Sequence, residues 1–182
     1  MKLFTDTFLT SFGPFSMAVD DEGRLLATAF GALDTLRERL SLVSKRHGAS
    51  DKQIRDSAAL QAMREQVLAY DAGERTIFDV PLAPRGTAFQ QRVWDALCRI
   101  PFGATRTYGQ LARELGQPSA SRAVGRANAT NPICLIVPCH RVIGANGALT
   151  GFAFGEDIKR RLLEHEQHFA PAPQDRALAA SG

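Results

Sequence analysis

Residues 133–137 read Ile-Cys-Leu-Ile-Val, an uninterrupted apolar run that stops at Pro138 and gives way at once to Cys139, His140 and Arg141. A short run of branched aliphatic residues belongs in a core, and its length predicts a buried strand rather than a helix. Proline cannot continue a sheet ladder, so the strand is expected to end at Pro138. A thiol and an imidazole then fall where the chain leaves the core, a common place to present side chains to a ligand. Thiolate is the reactive form of cysteine, and a neighbouring histidine is the usual way to generate it near neutral pH.

The rest of the chain can support such a site. Its 182 residues allow one or two compact domains with a real core. The formal charge of +3 is compatible with a polyanionic partner without establishing one. Three cysteines, none in a CxxC pair, predict free thiols in a reducing compartment. The N-terminus lacks a signal-peptide apolar region and no segment is long enough to span a bilayer, so a cytoplasmic, membrane-free monomer is expected.

From Phe8 to Phe30 apolar and polar residues alternate around turn signals at Gly13-Pro14 and residues 20–23, predicting two or three short antiparallel strands. Leu33, Leu36, Leu40 and Val43 follow helical spacing to about His47-Gly48. A second helix is predicted over residues 52–70, with Ile54, Met63 and Val67 on its apolar side. Residues 78–86, with two prolines and a glycine, read as a connection. Beyond it Thr87 is a candidate N-cap for a helix carrying Phe89, Val93, Trp94 and Leu97, and Thr107 caps a short helix over 108–115. A turn at Gly116-Gln117-Pro118 leads to a further helix over 119–129, a helix-turn-helix pattern. A last helix is predicted over 156–167, followed by a disordered tail from residue 170. The fold class is therefore α+β: a small N-terminal antiparallel sheet with helices (1–80), then a mainly helical part (81–169).

Adjacent residues of an extended chain point to opposite faces, so Cys139 and His140 would communicate through a bridging water unless the chain turns. The imidazole needs a third group to fix its tautomer, and Glu164 and Glu166 are candidates. From spacing alone, a buried structural cysteine beside a surface histidine fits as well. Cys98, Cys134 and Trp94 read as core or near-core, and His47, His165 and His168 as surface residues.

Asn131-Pro132, the run from Ile136 to Gly144 through Pro138-Cys139-His140-Arg141, Asn146-Gly147, Thr150-Gly151-Phe152, Lys159 and Leu162-Leu163-Glu164-His165-Glu166 together resemble one known active-site region. It is that of the O6-alkylguanine-DNA alkyltransferases, also called methylated-DNA–protein-cysteine methyltransferases. Gly86 to Trp94, Thr107 to Ala112 and Arg122-Ala123-Val124-Gly125 match the same family. The strong match covers residues 86–166; residues 1–80 agree in length and element order, which implies a ribonuclease H-like arrangement there.

The resemblance implies that Cys139 takes the alkyl group from O6 of a damaged guanine, and perforce acts once, because a thioether has no easy route back to thiol. His140 would act through water as the base, Glu166 would orient it, Asn131 would stabilise the turn carrying the nucleophile, and Tyr108 would donate a proton towards the departing guanine. The helix over 119–129 would enter the minor groove of double-stranded DNA, with Ser121, Ala123 and Gly125 small enough for close approach and Arg122 filling the space of the extruded base. Arg106, Arg113 and Arg126 would meet phosphates. The carbonyls of Cys139 and Val142 and the amide of Ala153 would read the base, in a pocket also formed by Phe152, Phe154 and Lys159. At Phe154 many relatives have glycine and others an aromatic, and a ring on the loop over the pocket would restrict bulky alkyl groups. O4-alkylthymine is a further implied substrate. Some relatives carry zinc on N-terminal cysteines and histidines; this chain has no cysteine before Cys98, so no metal or cofactor is expected.

Three other readings compete. A damage sensor of the same family lacks the nucleophile that Cys139 supplies here. A helix-turn-helix regulator would need a metal-bearing methyl-acceptor domain for which the chain is too short. A Cys-His hydrolase would need an oxyanion hole that no sequence feature supports.

Overall fold

The computed structural model describes residues 1–47 and 52–171; the side chains of 43–47 lie outside the description, as do the expectations placed on Val43, His47 and residues 172–182. The element order is α+β. Strands β1 (Lys2–Thr10), β2 (Gly13–Val19) and β3 (Leu25–Phe30) form an antiparallel meander, and helix α1 (Leu33–His47) follows. Strand β4 (Lys52–Arg55) returns parallel to β1, giving the order β3-β2-β1-β4. Residues 52–70 are thus not one helix: a strand comes first, then a single 3-10 turn, and helix α2 covers only Gln61–Asp71. The strand is specified by its partner, Lys52 facing Lys2 and Ile54 facing Phe4, and such distant pairing leaves no local periodic mark.

The pleat sorts the sheet's side chains. Phe15, Met17 and Val19 of β2 join a large core with Met63, Val67 and Tyr70 of α2, while Ala18 joins Leu36 and Leu40 of α1 on the opposite face. Burying a side chain of this size stabilises by roughly 1.5–3 kcal/mol, so both faces contribute.

Strand β3 lies at the sheet's edge, where unpaired backbone groups need cover. The amide of Leu25 donates to Pro81 O at 2.8 Å and that of Thr28 to Pro132 O at 2.9 Å. The connecting segment and the turn before Cys139 thereby take the place of a further strand.

Helix α3 (Ala88–Cys98) opens with a complete capping box, Thr87 with Gln90, and α4 (Tyr108–Glu114) repeats the device with Thr107 and Gln110. Helix α5 (Ser121–Ala129) follows a turn in which Gly116 sits at φ +71°. The indole of Trp94 donates to Ala127 O at 2.8 Å and locks α3 to α5. Helix α6 (Glu156–Phe169) closes the structure, two residues longer than its expected end at 167. Short strands β5 (Arg106–Thr107) and β6 (Val142–Ile143) pair in parallel. No helix among the described residues is long and apolar enough to cross a membrane.

The apolar run 133–137 is buried but is not a strand. It makes only isolated bridges, Thr28 with Ile133 and Cys134 with Val137, and curls so that Val137 N donates to Ile133 O at 2.9 Å. Leu135 stands at φ +75°, the left-handed region that costs an L-residue about 1–2 kcal/mol. Prolines at both ends deny it ladder donors, and side chains supply its partners instead.

Candidate active site

Cys139, His140 and Arg141 form one 3-10 turn, with Cys139 N donating to Val137 O at 2.8 Å. The extended geometry expected for this pair is therefore replaced by a turn. Cys139 is 5 % exposed and His140 fully enclosed.

Asn131 organises the approach to the thiol. Its Nδ2 donates to Val137 O at 2.9 Å, and its Oδ1 accepts from Ile133 N at 3.0 Å. Two elements of the N-terminal half hold the same turn. The Thr28 hydroxyl donates to Cys134 O at 2.7 Å, and Arg39 of α1 donates to Asn131 O at 2.6 Å. From α5, Asn128 Nδ2 donates to Cys139 O at 3.3 Å.

His140 Nε2 lies 2.5 Å from Glu166 Oε2. That carboxylate also accepts from Arg141 Nε at 2.7 Å, Arg141 Nη2 at 3.2 Å, the Tyr70 hydroxyl at 2.7 Å and Gly103 N at 3.3 Å. Burial alone would raise the Glu166 carboxyl, but the His140 ring and the Arg141 guanidinium overcome it and hold it well below the usual range. An ionised Glu166 must receive the Nε2 proton, which leaves His140 Nδ1 as the lone-pair nitrogen. Nδ1 has no hydrogen-bond partner among the described residues. Burial lowers the histidine below its ordinary value, against the pull of Glu166, so the ring is a neutral base. Glu164, the other candidate, is exposed.

Burial raises the Cys139 thiol, while the Asn131 side chain, Lys159 and Arg39 pull it down. Lys159 is fully buried on α6, its Nζ donating to Val142 O at 2.6 Å. The resting arrangement is a protonated thiol beside a neutral imidazole, with cationic groups ready for a thiolate. Cys134, by contrast, is pushed up to about 12 by burial and is chemically quiet.

The pair β5–β6 brings Tyr108, first residue of α4, beside this turn. Its hydroxyl donates to Thr150 O at 3.1 Å. Phe152 is buried, Ala153 exposed and Phe154 half-buried, its ring 5.7 Å from Phe30 and 5.2 Å below the Arg39 guanidinium. Arg122 and Arg126 project from α5 into solvent, with Ser121, Ala123 and Gly125 half-buried. Among the described residues no three of histidine, cysteine, aspartate and glutamate gather as a metal site.

Two bland expectations are corrected. Cys98 is exposed rather than near-core. His165 is half-buried in an aromatic cluster, its ring 4.9 Å from that of Tyr70 and its Nε2 2.8 Å from Tyr70 O. Sequence reasoning missed Tyr70, Arg39 and Asn128. Tyr70 was signalled only by its helical spacing from Met63 and Val67; the other two carried no local mark.

Residues 88–168 match the family model described as 6-O-methylguanine DNA methyltransferase, DNA binding domain. A methylated-DNA–protein-cysteine methyltransferase of Methanosarcina acetivorans is 46 % identical over 159 residues, covering 87 % of this chain and 95 % of the relative. Its counterpart in Mycobacterium bovis is 58 % identical over 117 residues, 64 % of this chain and 71 % of the relative. The crystal structure of Mycobacterium tuberculosis O6-methylguanine methyltransferase superposes with a TM-score of 0.78 at 42 % identity, covering 95 % of this chain and 98 % of that one. A structure of the M. tuberculosis protein in complex with DNA gives 0.77 at 42 % identity, covering 94 % and 96 %.

Proposed function

The chain belongs to the methylated-DNA–protein-cysteine methyltransferase family, and on that premise we propose how its own residues carry out direct DNA repair. The protein moves the alkyl group from O6 of guanine in double-stranded DNA to Cys139, irreversibly and once per molecule. The observation that carries this reading is the placement of His140, next to Cys139 in one 3-10 turn, with its Nε2 2.5 Å from Glu166 Oε2 and its Nδ1 without a hydrogen-bond partner among the described residues.

The target atom lies inside the duplex, so the nucleotide must leave the stack, at a cost of a few kcal/mol. Helix α5 enters the minor groove, where Ser121, Ala123 and Gly125 allow close approach and Arg122 fills the gap. Arg126, with Arg106 and Arg113, neutralises phosphate. In the pocket the carbonyls of Cys139 and Val142 accept from the guanine amine and the Ala153 amide faces O6. Phe152, Phe154 and Lys159 bound the space.

The thiol proton passes through a bridging water to His140 Nδ1, and Glu166 stabilises the imidazolium. Lys159 and Arg39 stabilise the thiolate. Sulfur then attacks the alkyl carbon, an S–C bond forms, and the C–O6 bond breaks with its electron pair staying on the base. Tyr108 supplies the proton that makes guanine a neutral leaving group, and the proton held by His140 restores the phenol. Asn131 keeps the nucleophile's turn in place throughout. Residues 1–80 brace this site and residues 81–169 read DNA and react, as a monomer. O4-alkylthymine enters the same pocket less readily because it lacks the amine that the carbonyls read.

The test is intact and peptide mass spectrometry after mixing the protein with an equimolar duplex carrying one O6-methylguanine. One methyl increment on the Cys139 peptide, absent in Cys139→Ala, is expected. Binding without an increment would mean a damage sensor instead.

A further inference from the structure

We propose that Tyr70 is a positioning residue for alkyl transfer, setting the basicity of His140 through the carboxylate they share. The inference rests on the proposed roles of Cys139 and His140 and adds a residue that lies before the stretch matched by the family model, residues 88–168.

The Tyr70 hydroxyl donates at 2.7 Å to Glu166 Oε2, the same oxygen that lies 2.5 Å from His140 Nε2. Tyr70 is 1 % exposed, and its ring stands among Phe78 at 5.5 Å, Phe102 at 5.8 Å and His165 at 4.9 Å. Phenylalanine would fill that apolar space equally well. The hydroxyl is the part the packing does not need, and a buried tyrosine hydroxyl is retained where it has a partner. Burial, then the nearby Glu166 charge, push the phenol well above its ordinary value, so it stays a neutral donor at any working pH.

A carboxylate divides its electron density among its donors. Oε1 of Glu166 receives Arg141 Nε and Gly103 N, while Oε2 receives Arg141 Nη2, Tyr70 and His140. The charged groups that act on His140 are Glu166 and Lys159 from α6 and Arg141 from its own turn, and Tyr70 from α2 meets the ring's partner, Glu166 Oε2. His165 packs against the Tyr70 ring, the two centroids 4.9 Å apart. Of these, Glu166 alone pulls the imidazole towards its charged form. Tyr70 weakens that pull. It keeps His140 neutral, able to accept the thiol proton, without removing the carboxylate that steadies the imidazolium once formed.

Tyr70→Phe leaves Glu166 with one donor fewer and a stronger hold on imidazolium, which raises the His140 pKa. The experiment is the single-turnover rate of methyl transfer from an O6-methylguanine duplex as a function of pH. The acid limb of Tyr70→Phe is expected to lie about half a pH unit above wild type, so that below the limb its rate is about threefold lower. Val67→Ala, on the same buried face of α2 but without a polar group, loses packing and keeps the wild-type limb. Should Tyr70→Phe not fold, site-specific 3-fluorotyrosine at position 70 keeps the shape and strengthens the donor, and the limb must then move down. Limbs unmoved by either change, or moved as far by Val67→Ala, overturn the proposal. Wild type that transfers no methyl group overturns instead the reading on which it rests.

Discussion

Asn131 Nδ2 and Val137 O are 2.9 Å apart, a buried hydrogen bond across six residues that holds the nucleophile's turn closed. The same side chain accepts from Ile133 N at 3.0 Å, so one amide replaces the ladder a strand would have supplied. The turn also carries Leu135 at φ +75°, a strained conformation that persists only where its surroundings over-determine it.

Asn131→Ala would therefore leave the buried Ile133 amide unpaired and take from Val137 O one of its two donors, the other being Cys139 N, a loss of about 2–4 kcal/mol. For a chain of this size that is a fall in Tm of roughly 5–15 °C. Methyl transfer should drop by about 100-fold, because a small displacement of a nucleophile is enough for that. Thermal melts and single-turnover assays check both; a variant melting with the wild type would show that the turn holds itself.

Acid should weaken the fold in two steps of the same sign. His140 has a folded pKa below its ordinary value of 6.5, so as pH falls beneath 6.5 the unfolded chain binds a proton that the native state refuses. Stability present above that point is lost below it. Glu166 is also depressed, from 4.5, so its stabilisation holds above 4.5 and is lost as pH falls further. Each contributes a slope of at most about 1.4 kcal/mol per pH unit. Urea midpoints measured from pH 7.5 to 5 should decline in wild type, and the decline should be shallower in His140→Gln. Equal slopes would contradict a neutral, buried His140.

What could be read in the chain and what could not divide along one physical line. Local chemistry was legible: Thr87 and Thr107 marked helix starts because a capping hydroxyl acts within three residues, and both capping boxes form. The pairing of His140 with Glu166 was legible because the family motif spans both residues. Distant pairing was not legible. Strand β4 exists because β1 lies beside it, so residues 52–55 read as helix. The run 133–137 is apolar enough for a strand, yet prolines and the Asn131 amide bend it into a turn. Tyr70 and Arg39 reach the site from 96 and 92 residues away, a distance at which sequence spacing says nothing.

Gly125→Ala separates folding from DNA contact. A Cβ there would stand 3.8 Å from the Tyr108 ring, an ordinary contact, and alanine favours a helix over glycine by about 0.5–1 kcal/mol. The melting temperature should hold or rise. If α5 lies against the minor groove, the added methyl holds the backbone off, and affinity for a lesion duplex should fall by about tenfold. Unchanged affinity, measured by fluorescence anisotropy with Cys139→Ala as the common background, would place α5 elsewhere on the DNA.

We propose that Phe154 limits which alkyl groups the pocket admits. Its ring does not hang free: Phe30 of the sheet edge lies 5.7 Å away, Phe152 5.8 Å away, and the Arg39 guanidinium covers it at 5.2 Å. Arg39 in turn holds Asn131 O, so the loop over the pocket and the nucleophile's turn share one anchor on α1. A ring fixed in this way cannot swing aside for a large substituent, whereas glycine would remove both the bulk and the anchor. Phe154→Gly should therefore raise the rate on O6-benzylguanine relative to O6-methylguanine by about tenfold, the scale on which pocket size discriminates apolar groups. The cost is some lost packing, read as a lower Tm. The ratio of the two rates, taken for both proteins under the same conditions, decides the matter: an unchanged ratio would mean that the loop yields to large groups whatever stands at position 154.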